Sequence, residues 1–242
     1  MSNGHNKRFL ANPFKYLKEV TVVPNDGLFN GSKASVFRGN GLPAEMRPHD
    51  MVYLDLVEID GDRIVRTDFY EKPPGGDEQI VGGYVPYIQG GTVNANPQTM
   101  GRHNLPPPGG PKFEFTGALN GCSLILCSGE TGQVAVHYPN SDCSTLGYPH
   151  LNTLKLVYIK SIDYFKTQGG SQENYSDGLL TGSDTYAAMV NLHRTTTGFF
   201  NAFAFMMNIG GVWHLIAQPT IAEMRPQKGK FTARKLHDFV KV

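Results

Sequence analysis

FTGALNGCSLILCSGETGQVAVHYP, residues 115–139, holds two β-like segments, SLILC (123–127) and QVAVHY (133–138), joined by Ser128-Gly129-Glu130-Thr131-Gly132. Branched apolar residues fill both arms, and the polar, Gly-flanked joint between them is a hairpin signal. With Gly129-Glu130 as the central pair the turn is type II′, which takes Gly first. That register sets Cys122 opposite His137, with Cβ atoms about 4.5–5.5 Å apart. A looser five-residue loop shifts the pairing by one residue and puts the two side chains on a diagonal. Sulfur and imidazole within hydrogen-bond reach are what a thiolate nucleophile requires.

Outward from this hairpin, most of the chain reads as strand. KFEFTGAL (112–119) precedes it and TLKLVYI (153–159) follows. MVYLDLVEIDGDRIVRTDFY (51–70) predicts a second hairpin about Asp60-Gly61, a favoured type I′ pair. GFFNAFAFMMNIGGVWHLIAQPTI (198–221) predicts a third, about Gly210-Gly211. Its Phe/Met run is apolar on successive positions, the pattern of a strand buried on both faces. Pro13–Val20 is a short helix candidate. The C-terminal FTARKLHDFVKV (231–242) fits a short amphipathic helix or an edge strand. Residues 89–111, punctuated by Pro106–Pro108 and Gly109-Gly110, read as a long surface loop, and 169–178 as a second polar loop. The expectation is one catalytic domain over 1–242, with 1–12 a candidate mobile segment. Its class is α+β: a mixed, mostly antiparallel β-sandwich core with a few peripheral helices.

Composition narrows the function classes. Basic and acidic residues number 22 and 21, a net charge of +1 that favours neither nucleic acid nor a membrane surface. No apolar run approaches the roughly 20 residues of a membrane span. MSNGHNKRFLANPFKYLKEV at the start lacks the apolar core of a Sec signal peptide. The cysteines are Cys122, Cys127 and Cys143, an odd set without paired spacing, which points to a reducing compartment. A lone cysteine is ordinarily a small buried hydrophobe. Cys127, an odd number of residues from Cys122, faces away from it on a regular strand and reads as core. His193, His214 and Trp213 read as core as well. Cys122, His137, Cys143 and His150 match no standard zinc spacing. Phosphate-loop, dinucleotide and Gly-x-Ser-x-Gly motifs are absent from the sequence.

Leu119-Asn120-Gly121-Cys122, followed fifteen residues later by His137, resembles the catalytic signature of toxin-type protein glutamine deamidases. These comprise the cytotoxic necrotizing factor catalytic domain, Burkholderia lethal factor and the chemotaxis receptor deamidases. In the latter two a Thr six residues before the nucleophile helps orient the His, and Thr116 stands at that position. The resemblance covers about 25 of the 242 residues. Asn120 departs from the Ser that the toxins carry beside the nucleophile.

What the resemblance implies is hydrolysis of a glutamine side-chain amide on a target protein, by a thioester route without cofactor or metal. Cys122 would be the nucleophile, His137 the base and Thr116 its orienting partner. Backbone at Gly121 and Asn120 would serve the oxyanion. The family fold is a mixed β-sandwich. Its toxin members act in the host cytosol on small GTPases or a translation factor. A monomer leaving its cell without a Sec signal peptide is expected on this reading, a cytoplasmic protein otherwise. Two alternatives stay open: another Cys–His acyl transferase or protease, and a non-catalytic β-sandwich binding protein.

Overall fold

The computed structural model describes residues 4–24, 38–39, 49–60, 63–70, 72–75, 78–88, 101–107, 109–119, 123–138, 152–162, 177–182, 185–193, 198–225, 230–235 and 238–241. Two short helices lead, α1 (Gly4–Ala11) and α2 (Pro13–Glu19). Asn12 caps the second: its side chain accepts the Lys15 N–H at 2.9 Å, and Pro13 takes the first helical position, where no N–H is needed. Within the stretch 1–12, α1 buries His5, Asn6 and Phe9.

The strands are β1 (Thr21–Val23), β2 (Arg38–Gly39), β3 (His49–Asp60), β4 (Ile64–Tyr70), β5 (Ile80–Val85), β6 (Tyr87–Ile88), β7 (Gly101–Asn104), β8 (Phe113–Thr116) and β9 (Ser123–Gly129). They continue with β10 (Gly132–Tyr138), β11 (Asn152–Ile162), β12 (Asp177–Gly182), β13 (Thr185–His193), β14 (Gly198–Ile209), β15 (Val212–Arg225), β16 (Lys230–Lys235) and β17 (Val240–Lys241). A nine-stranded sheet runs β1-β4-β3-β5-β8-β14-β15-β16, with β17 also on β15. A six-stranded sheet runs β12-β13-β11-β9-β10-β7, and β2 pairs with β6.

The class is broadly α+β and mostly strand, with mixed pairing as expected, but the expected mostly antiparallel sandwich is corrected to a barrel-like form. The large sheet is mixed and barrel-like, nearly closed on itself. Pairs β1–β4, β5–β8 and β11–β13 are parallel. Closure brings β1 to β15, where the Val22 N–H donates to Gln218 Oε1 at 2.7 Å. Parallel pairs and closure join segments far apart in the chain, which local patterning does not record.

One face of the large sheet carries an aromatic core. Phe113, Phe115, Phe203 and Phe205 pack there with Phe9, Tyr16 and Leu17 from the helices. The other face packs on the six-stranded sheet: Val85, Ala202, Ala204 and Met206 meet Leu124, Leu126 and Ala135. The β14 run is thus buried on both faces, as its pattern predicts. Each buried Phe contributes about 1.5–3 kcal/mol over an exposed one.

Gly210 and Gly211, with φ of 60° and 89°, make the β14–β15 turn. Such a left-handed pair is the type I′ geometry that Gly adopts without strain. Three further expectations change. Asp60 pairs with Ile64, so it ends β3 instead of sitting in the turn. The stretch 89–111 contains β7, whose alternating burial is hidden by its polar composition, while residues 89–100 lie outside those described. Of the two C-terminal options the strand holds, as β16 and β17. The polar stretch 169–176 lies outside the described residues.

Candidate active site

Strand β8 reads Phe-Glu-Phe-Thr, and all four residues are buried. Alternation sends Phe113 and Phe115 into the aromatic core and leaves Glu114 and Thr116 facing the six-stranded sheet. A polar side chain in that dry layer must find a partner. Thr116 finds two. Its hydroxyl donates to the Val85 carbonyl on the neighbouring β5 at 2.9 Å, and it lies 2.5 Å from His137 Nδ1 on β10.

A threonine hydroxyl has one hydrogen. With that hydrogen on the Val85 carbonyl, Thr116 can only accept at His137, so Nδ1 carries the ring proton. Nε2 is then the acceptor nitrogen of the neutral imidazole, the nitrogen a general base uses. His137 is fully buried, and desolvation holds its pKa down to about 3. The ring is therefore neutral at physiological pH.

The β9–β10 hairpin differs from the expected register. Gly129 pairs with Gly132, so the two-residue turn is Glu130-Thr131, and His137 faces Leu124 instead of Cys122. Gly132 (φ 143°) closes the turn in a conformation suited to glycine, one strand position later than a Gly-first turn would. Cys122, Gly121, Asn120 and Cys143 lie outside the described residues. Cys127 and Trp213 are both buried in the core.

Thr116 and His137, twenty-one residues apart, are thus brought together. Sequence reasoning did not single out Val85, whose carbonyl orients the threonine. It also passed over a second polar pair in the same layer, His103 Nδ1 and Glu114 Oε1 at 2.6 Å. A glutamate between two phenylalanines in a strand was the available signal. Among the described residues no three His, Cys, Asp or Glu side chains form a group that could hold a metal ion. Among them, too, no helix is long and apolar enough to cross a membrane.

No protein-family model matches the chain, and neither does any curated protein. Among solved structures it is similar to the crystal structure of the C-terminal domain of CNFy from Yersinia pseudotuberculosis, with a TM-score of 0.25 and 10% sequence identity. The likeness covers 51% of this chain and 53% of that one, about half the length of each.

Proposed function

We propose that the chain is a toxin- or effector-like protein glutamine deamidase, with Cys122 as nucleophile, His137 as base and Thr116 as the residue orienting His137. The observation that carries this reading is the Thr116–His137 contact of 2.5 Å, with the Thr116 hydrogen committed to the Val85 carbonyl. Thr116 and His137 are two of the three positions on which the sequence resembles the family. The third, Cys122, precedes Leu124 by two residues, and Leu124 faces His137 across the ladder. Cys122 lies outside the described residues, and its pairing with His137 rests on the sequence resemblance.

The chemistry follows from the tautomer. His137 Nε2 takes the Cys122 thiol proton as sulfur attacks the glutamine δ-carbon. Because burial disfavours imidazolium, the proton moves during attack, and no stable thiolate–imidazolium pair stands at rest. Backbone N–H groups near Gly121 and Cys122 stabilise the oxyanion, each worth about 3–4 kcal/mol. Imidazolium then protonates departing ammonia, and His137 activates water to hydrolyse the thioester. The substrate is a protein in a host cell, a small GTPase or a translation factor. No cofactor takes part.

Iodoacetamide labelling followed by mass spectrometry tests the assignment. Cys122 should label faster than Cys127 and Cys143, and His137→Asn should remove that preference. Equal labelling of an exposed Cys122 in both proteins would contradict it. Complete burial of His137 favours a second reading, in which the Thr116–His137 bond is structural and the protein is a β-rich binding module. That reading predicts the equal-labelling result.

A further inference from the structure

Two polar pairs bridge the sheets from consecutive inward positions of β8. Thr116 meets His137, and Glu114 meets His103 at 2.6 Å. On the facing sheet, β7 and β10 run antiparallel with Gly101 opposite His137 and His103 opposite Ala135. The pairs therefore occupy successive rungs, one strand repeat or about 6.8 Å apart. Glu114 is fully buried and His103 only 7% exposed, so a carboxylate sits in a dry layer where it must be held by a donor. Its donor comes from β7, the edge strand that ladders with His137.

Two glycines make room. Gly83 stands beside Glu114 in the β5–β8 register. A Cβ there would collide with the Glu114 carboxylate and lie 2.9 Å from His103 Cε1. A Cβ on Gly101, opposite His137, would collide with the Pro86 carbonyl, next to the Val85 carbonyl that holds Thr116.

The geometry points to His103 and Glu114 as positioning residues for His137: they pin β7 to β8 one rung away and so hold Thr116 within reach of Nδ1. The role rests on the reading of His137 as a base. Its structural half, the fixed tautomer, can be read without any catalysis.

The test uses the full chain carrying Glu114→Gln, which keeps shape and removes charge. Gly83→Ala is the companion, displacing the carboxylate while leaving both partners in place. Long-range ¹H–¹⁵N spectra of the histidines report the His137 tautomer, and iodoacetamide labelling reports Cys122. Wild type should show His137 protonated at Nδ1. Both variants should lose that single tautomer, and their Cys122 labelling should slow by about tenfold. Folded variants with the wild-type tautomer would overturn the proposal, whatever Cys122 does. Should neither variant fold, His103→Gln, which keeps a donor toward Glu114, is read the same way. Loss of the fold in all three would also overturn it, marking the pair as a folding requirement. An ordinary Cys122 thiol in wild type, with the tautomer shift intact in the variants, would instead sink the deamidase reading and leave the positioning role standing.

Discussion

The Thr116 hydroxyl lies between the Val85 carbonyl, at 2.9 Å, and His137 Nδ1, at 2.5 Å. The first contact takes its only hydrogen, so the second fixes the imidazole tautomer. Thr116→Val keeps the shape and removes both bonds. Turnover is expected to fall by about 10²-fold through loss of orientation and stability by about 1–3 kcal/mol. Thr116→Ser should restore most of both, measured by steady-state kinetics and urea denaturation.

Stability should depend on pH through His137. Above pH 6.5 the ring is neutral in both folded and unfolded chains. As pH falls below 6.5 the unfolded chain takes up a proton, while burial keeps the folded ring neutral down to about pH 3. The unfolded state then binds more protons, so stability is lost on acidification, by about 1.4 kcal/mol per pH unit from this residue. His137→Gln should remove that component. Urea midpoints between pH 8 and pH 4 for the two proteins give the comparison.

Gly101 carries no Cβ because Pro86 needs the space. Gly101→Ala must move the Pro86 backbone, at an expected cost of about 2–3 kcal/mol. The same movement should shift the Val85 carbonyl away from Thr116, so labelling of Cys122 should slow in whatever fraction remains folded.

Gln218 is fully buried on β15 and ties the N-terminal helices to the barrel seam. It accepts from Val22 N–H at 2.7 Å and donates toward the carbonyls of Leu17, Val20 and Asp238 at 2.7, 2.9 and 3.1 Å. Gln218→Leu strands these groups and should cost about 3 kcal/mol. Amide exchange should accelerate first at α2 and β1, which a uniform destabilisation would not produce.

The sequence carried the strands well, because their apolar residues sit in short runs bounded by glycine, proline and polar turns. The β14 run announced burial on both faces, and the helix candidate Pro13–Val20 matches α2 (Pro13–Glu19). Closure of the barrel was invisible, since β1 pairs parallel to β4 and meets Gln218 almost two hundred residues later. At the site, the hairpin singled out His137, while Thr116 was legible only through the family resemblance, because nothing local links β8 to β10. The hairpin register missed because Gly129 pairs with Gly132 around Glu130-Thr131, and both registers keep His137 on the same face as Leu124, so the apolar pattern does not choose between them. His103 went unnoticed in a stretch whose polar composition reads as loop.

The most direct test of the central claim is conversion of glutamine to glutamate in host-cell lysate, followed by mass spectrometry with ammonia release, for wild type against Cys122→Ala. The deamidase account predicts a single target protein gaining about one mass unit at one glutamine with wild type and none with the variant, as removal of the nucleophile stops acyl transfer. Identical peptide masses in both lysates, together with an unselective Cys122, would contradict it and leave a binding module in its place.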